Sequence, residues 1–137
     1  MRVYVLLSLI LLLGFDCAKP RDREYALNIQ NNSDKPTAFY VAALAVEHHL
    51  YPDTTLETTK PILATIQPGK TNPWYINLSF DDLFKQLPKD TLSVYFFSVD
   101  TLNKYDWSTI RDQYKVLRRY DLSLTDLKNR NFKVSYP

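Results

Sequence analysis

Cysteine is almost missing from this chain: 137 residues contain one, Cys17. A single thiol excludes an internal disulfide framework, so the fold must be held by its apolar core. Glycine is nearly as scarce, with only Gly14 and Gly69. Gly-rich phosphate-cradling loops are therefore excluded, and turns must be built from Asn, Asp, Pro and Ser. Neither sign of charge is in large excess. The formal net charge of +2 is too small to point to nucleic acid as a partner. The longest apolar run, Val3 to Leu13, falls well short of the ~20 residues a helix needs to cross a bilayer.

What is present is ordinary for a folded domain. Apolar residues at 45% and charged residues at 23% exclude wholesale disorder, and the length suits one domain. Ten tyrosines lead an aromatic content of 14%. Tyrosine and β-branched residues suit pleated, half-buried surfaces, which favours β structure.

The first segment reads as an address. Met1-Arg2 supplies one positive charge, Ser8 is the only break in the apolar run, and a polar stretch follows at once. This is the pattern of a secretory signal rather than of a buried helix, which would show a polar face. Cys17 stands directly behind it, in Leu13-Gly14-Phe15-Asp16-Cys17. A cysteine in that place resembles the lipobox of bacterial lipoprotein precursors, in which the thiol is joined to diacylglycerol and cleavage makes the cysteine the first residue. Such boxes place a small residue before the cysteine, and Asp16 departs from that. The alternative is ordinary signal-peptide removal after Ala18, which needs small residues at the last and third-last positions. Ala18 meets the first requirement and Asp16 fails the second. Lipidation also accounts for a leftover thiol in an exported chain. Each buried methylene contributes ~0.8 kcal/mol to attachment, so two or three acyl chains make release negligible. On this reading residues 1–16 are a signal peptide, 17–24 a lipidated Cys with a charged tether, and 25–137 a single β-sandwich domain.

Periodicity outlines that domain. Tyr25, Leu27 and Ile29 alternate as a half-buried strand, and Asn31 to Pro36 form the densest turn signal. Thr37 to Val46 is apolar on both faces, as expected of a central strand covered on both sides. Ile62, Ala64 and Ile66 alternate on one face, and so do Trp74, Ile76 and Leu78. Ser79 with Asp82 three residues on starts a short helix, which Pro88 stops. Thr91 to Val99 is the clearest strand. Asp106 or Ser108 caps a helical turn through Asp112, Tyr114 to Leu122 resumes as a strand, and Ser123 with Asp126 repeats the capping pattern before the last strand, Phe132 to Tyr136. About seven short strands with regular turn signals predict an all-β, antiparallel β-sandwich, Ig-like or transthyretin-like, with one to three short helices.

The closing stretch, Tyr114-Lys-Val-Leu-Arg-Arg-Tyr-Asp-Leu-Ser-Leu-Thr-Asp-Leu to Phe132-Lys-Val-Ser-Tyr-Pro137, resembles the tail of small uncharacterised lipoproteins of Bacteroides-type bacteria. Asn31-Asn32-Ser33, Tyr51-Pro52-Asp53-Thr54 and Asp90-Thr91-Leu92-Ser93 are similar to that group as well. The resemblance implies an envelope lipoprotein and carries no assigned activity with it.

Candidate chemistry is thin. Glu47, His48, His49 and Asp53 have metal-ligand chemistry, but adjacent residues of a strand point to opposite faces, so a solvated loop is the simpler reading and no metal is expected. Asp81-Asp82 and Asp121 with Asp126 have the residue type of a glycosidase carboxylate pair, yet helix capping accounts for Asp82 and Asp126. No serine lies in a nucleophile-elbow pattern, so no catalytic residue and no cofactor are assigned. Arg111, Lys115, Arg118, Arg119, Lys128, Arg130 and Lys133 sit among Trp107, Tyr114 and Tyr120. Such interleaving suits acidic polymers or lipid headgroups, but Asp106, Asp112, Asp121 and Asp126 intervene, and a wet strand face is the plainer account. Exposed Trp74, Tyr75 or Trp107 can stack on sugar rings, although core tryptophan is the commoner fate. The expectation is a non-enzymatic, lipid-anchored protein of the bacterial cell envelope, on its periplasmic face or at the cell surface. Its partner is the membrane, through the lipid on Cys17, together with an envelope protein or, in the alternative, a glycan held by a surface carbohydrate-binding module.

Overall fold

The computed structural model describes residues 25–43 and 50–137. The expected signal segment, Cys17, the tether, Glu47, His48 and His49 lie outside the described residues, as do positions 44–46 of the expected second strand.

Strands β1 (Tyr25–Asn31), β4 (Thr71–Ile76) and β7 (Lys133–Tyr136) form a three-stranded sheet in the order β4-β1-β7. Strands β2 (Thr37–Ala42), β3 (Ala64–Ile66), β5 (Thr91–Ser98) and β6 (Arg118–Ser123) form a four-stranded sheet in the order β3-β2-β5-β6. The main core lies between them. Leu27, Ile29 and Val134 from the first sheet meet Phe39, Val94, Phe96 and Leu122 from the second, all buried.

The four-stranded sheet is covered on both faces, and β5 shows why its sequence lacks a polar alternation. Leu92, Val94 and Phe96 point into the main core. Tyr95 and Phe97 point the other way, into a second core with Tyr40, Ala42, Leu56 and Ile110, roofed by residues from the 50–63 strap and the helices after β5. A strand buried on both sides reads as a continuous apolar run. Every residue from Leu92 to Phe97 is buried.

Helix starts follow their caps. Ser79 Oγ accepts from Asp82 N at 3.1 Å at the head of α1 (Phe80–Phe84). Asp106 accepts from Thr109 N at 2.7 Å before α3 (Trp107–Asp112). Ser123 and Asp126 form a reciprocal capping box for α4 (Leu124–Asn129). The Gln67–Lys70 connection carries Pro68 and Gly69, the latter at φ +70°, which needs no Cβ relief only because it is glycine. With glycine so scarce, five other left-handed positions among the described residues fall to Lys89, Asp90, Tyr114, Asn131 and Phe132. For Lys89, Tyr114 and Phe132 this costs about 1–2 kcal/mol relative to a relaxed backbone, while Asp90 and Asn131 enter the region more readily.

Several expectations need correction. The sheets are not purely antiparallel, because β7 pairs with β1 in parallel. The turn after α4 delivers Phe132 beside Asn28, whose N–H donates to the Phe132 carbonyl at 2.9 Å, so β7 enters from the end where β1 enters. Nor is the chain all-β with at most three helices. Among the described residues there are four short α-helices and a 3-10 turn, Pro88–Asp90. The unexpected one is α2 (Val99–Lys104), whose cap Ser98 accepts from Thr101 N and so ends β5 one residue before Val99. Pro88 begins the 3-10 turn and does not stop α1, which ends at Phe84. β6 begins at Arg118, since the positive φ of Tyr114 turns the chain before it. Ile62 is 97% exposed because pairing with β2 starts only at Ala64, and Leu78 lies beyond β4 at the surface.

Candidate functional site

The short β3 creates the main concavity. β2 pairs with β5 as far as Ala42↔Ser93, but with β3 only as far as Phe39↔Ala64. Where β3 stops, a cleft of about 600 Å³ opens between the edge of the four-stranded sheet and β4. Phe39 to Val41 form one wall, Asn72 to Tyr75 the other, and Glu57 with Lys60 to Ile62 the rim. Aromatic and apolar surface with a few polar groups at the mouth is the usual make-up of a ligand cleft.

Two of the three aromatic residues singled out in the sequence meet here. Trp74 is half-buried, with one part against the main core, and Tyr75 is 46% exposed. Neighbours on a strand point to opposite faces, so Trp74 forms the wall while Tyr75 stands at the outer margin. Trp107 is not with them. Its ring packs edge-on against Phe97, centroids 5.8 Å apart, and its Nε1 donates to the Glu57 carbonyl at 2.8 Å. Trp107 therefore pins the strap from behind and sets the rim of the cleft through Glu57.

Behind the cleft wall lies a polar cluster that sequence reasoning missed. Tyr40 and Tyr95 are register partners across β2 and β5, and their rings stack in parallel at 4.8 Å. The Arg119 guanidinium lies 5.1 Å from the Tyr95 ring centre, with its side chain only 9% exposed. Its Nε donates to Asp121 Oδ1 at 2.7 Å, and Nη2 reaches the Asp53 carbonyl at 3.2 Å and Ser93 Oγ at 3.3 Å. Ser93 Oγ also donates to Asp121 Oδ1, at 2.6 Å. The hydroxyls of Tyr40 and Tyr95 and Arg119 Nη1 are buried without a hydrogen-bond partner among the described residues. The face alternation of Ser93, Tyr95, Arg119 and Asp121 was readable, but which strands adjoin was not.

Burial raises the Tyr95 phenol to about 12, and burial, followed by the neighbouring Tyr95, raises Tyr40 further. A phenol near 10 when unfolded and higher when folded contributes stability that is complete below pH 10 and lost as pH climbs toward 12. Alkaline titration should therefore show a late step of phenolate absorbance that coincides with loss of β circular dichroism. In Tyr95→Phe that late step should shrink. Phenolate absorbance that is complete before any loss of structure would contradict the buried pair.

The remaining sequence candidates resolve separately. Asp82 accepts from Lys85 and Ser79, which hold its carboxyl below the usual carboxylate range. Asp126 is lowered by Ser123, and Asp81 is paired with Lys128 at 3.0 Å. Asp53 accepts from Thr55 N and Oγ1, both at 2.9 Å. Among the described residues no group of three or more His, Cys, Asp and Glu is placed to hold a metal ion. No family model, no curated protein and no solved structure matches this chain.

Proposed function

We propose that this chain is a lipid-anchored bacterial cell-envelope protein whose β domain binds another envelope component, without turnover, in the cleft between β2 and β4. The address rests on the order of its first segments: a charged start, the apolar run Val3 to Leu13, Cys17, and the polar stretch to Glu24. The likeness of the closing stretch to small Bacteroides-type lipoproteins supports the same address. Two sheets facing each other across one core support an Ig-like or transthyretin-like sandwich, a common frame for binding modules.

The observation that carries the binding reading is the meeting of Trp74 and Tyr75 in one open cleft. It also favours one ligand class among envelope components, a surface glycan, because indole and phenol rings offer a flat apolar face with a polar edge. Full-length protein, detergent-solubilised, should bind saturably on a glycan array. Trp74→Ala should weaken that binding at least tenfold, as expected for loss of a stacking contact of about 1.4 kcal/mol or more. Because Trp74 also touches the core, Ile62→Asp provides a second test at a side chain with no packing role. Binding that survives both changes would remove the cleft from the reading. Absence of any glycan signal, with an envelope protein cross-linking to a probe at position 62, would make the partner a protein.

A further inference from the structure

A second concavity, which shares no lining residue with the β2–β4 cleft, opens where β5 gives way to α2. Ser98 caps α2 at the end of β5. Beside it the chain entering β6 is already paired, with Leu117 N donating to the Phe96 carbonyl at 2.8 Å. The helix and the stretch 115–117 thereby flank a hollow of about 420 Å³. Tyr105 and Val116, packed on the second core, form its floor, and Asp100, Thr101, Lys104 and Lys115 complete the lining.

Two cations share one ring there. Tyr105 is fixed at the end of α2, where its N–H donates to the Thr101 carbonyl at 3.1 Å. Lys104 sets its ammonium 5.2 Å from the Tyr105 ring centre, and Lys115 sets its own at 4.6 Å from the opposite wall. The two charges are therefore less than about 10 Å apart. Neither has an ion pair among the described residues. Asp100 stands at the i,i+4 spacing that favours a pair with Lys104, yet that ammonium lies by the ring instead. Lys115 is half-buried, so its charge has given up part of its hydration. The face of one phenol offsets only part of the repulsion between two cations beside it, and an anion between them meets both.

We propose that this hollow binds a phosphoryl group, with Lys104 and Lys115 on its oxygens and the Tyr105 ring beneath. A dianion with several outward oxygens reaches ammoniums on two walls, whereas a monocarboxylate has a single charge to divide between them. Lysine serves phosphate as a point charge and needs no planar partner. Asp100, the one carboxylate of the lining, sits in the first turn of α2, where negative charge suits the helix start. Lys104 is at the other end of that helix, so the ring end of the hollow stays positive.

Amide shifts of the isotope-labelled, detergent-solubilised full-length chain test this at constant pH and matched ionic strength. Inorganic phosphate should move the Thr101, Lys104, Tyr105, Lys115 and Val116 signals saturably. Acetate should need at least tenfold more, and chloride should leave them in place. Lys104→Gln/Lys115→Gln should raise the half-saturating phosphate at least tenfold, in a protein whose dispersed spectrum shows the fold intact. Tyr105→Phe, which keeps the ring, should hold it within about twofold, as should Lys35→Gln/Lys70→Gln at exposed positions elsewhere. Glycerol phosphate and a glucose phosphate separate a headgroup source from a sugar phosphate. The ester that binds tighter than inorganic phosphate assigns the source, and equal binding assigns free phosphate. Shifts that never saturate, or that chloride reproduces, would overturn the proposal. So would acetate binding as tightly as phosphate, or a double lysine variant that binds as the parent does. The glycan array judges the β2–β4 cleft separately, since no residue is common to the two sites.

Discussion

Arg119→Ala is expected to lower the free energy of unfolding by roughly 3 kcal/mol, a large share of the 5–15 kcal/mol typical of a domain. The reason is what the guanidinium holds together. It pairs with Asp121, bonds Ser93 and the strap carbonyl of Asp53, and covers the Tyr95 ring. Alanine leaves Asp121 beside a gap and frees the strap from the sheet it roofs. Arg119→Lys should recover only part of the loss, because a point ammonium cannot reproduce the fork that serves Asp121 and Asp53 together. Tyr95→Phe is the contrast. Its hydroxyl is buried without a partner among the described residues, so deleting it removes a desolvation cost and should be near neutral or stabilising. Urea unfolding of the three variants measures this. An Arg119→Ala loss below about 0.5 kcal/mol would place Arg119 among ordinary surface charges.

Arg119 also marks the boundary of what the sequence could reveal. It stood there as one of seven basic residues on a solvated face, indistinguishable from Arg118. In the fold Arg118 is exposed and Arg119 is held under the strap. Strand alternation separates the two side chains, but only the roof over the second core decides which side is dry. The same limit applies to Trp107 and Trp74, whose local elements, a capped helical turn and an alternating strand, do not say what each ring meets. One meets Phe97 and the Glu57 carbonyl, the other lines the cleft. Features set within a few residues were legible. The caps at Ser79, Asp106 and Ser123, the Asn31 turn and the buried run of β5 all depend on short-range chemistry. Features set by what lies across the molecule were not. The parallel β1·β7 pairing depends on the end from which α4 returns the chain, and the cleft exists because β3 stops after three residues. Val99 joined a helix because Ser98 is both the last strand residue and a cap.

The second large effect concerns location. If acyl chains on Cys17 carry the attachment, Cys17→Ser removes them all at once and leaves no lipid to bury. After carbonate or high-salt washing, the parent protein should stay in the membrane fraction, and the variant should be released by a factor of a hundred or more, the order expected from losing several buried methylenes at ~0.8 kcal/mol each.

The most direct measurement is the intact mass of the protein extracted from bacterial membranes with detergent. A chain beginning at Cys17 and carrying the added mass of a diacylglyceryl group is the expected result. A water-soluble chain beginning beyond Cys17, or one that keeps Cys17 without acyl mass, would contradict anchoring by lipid.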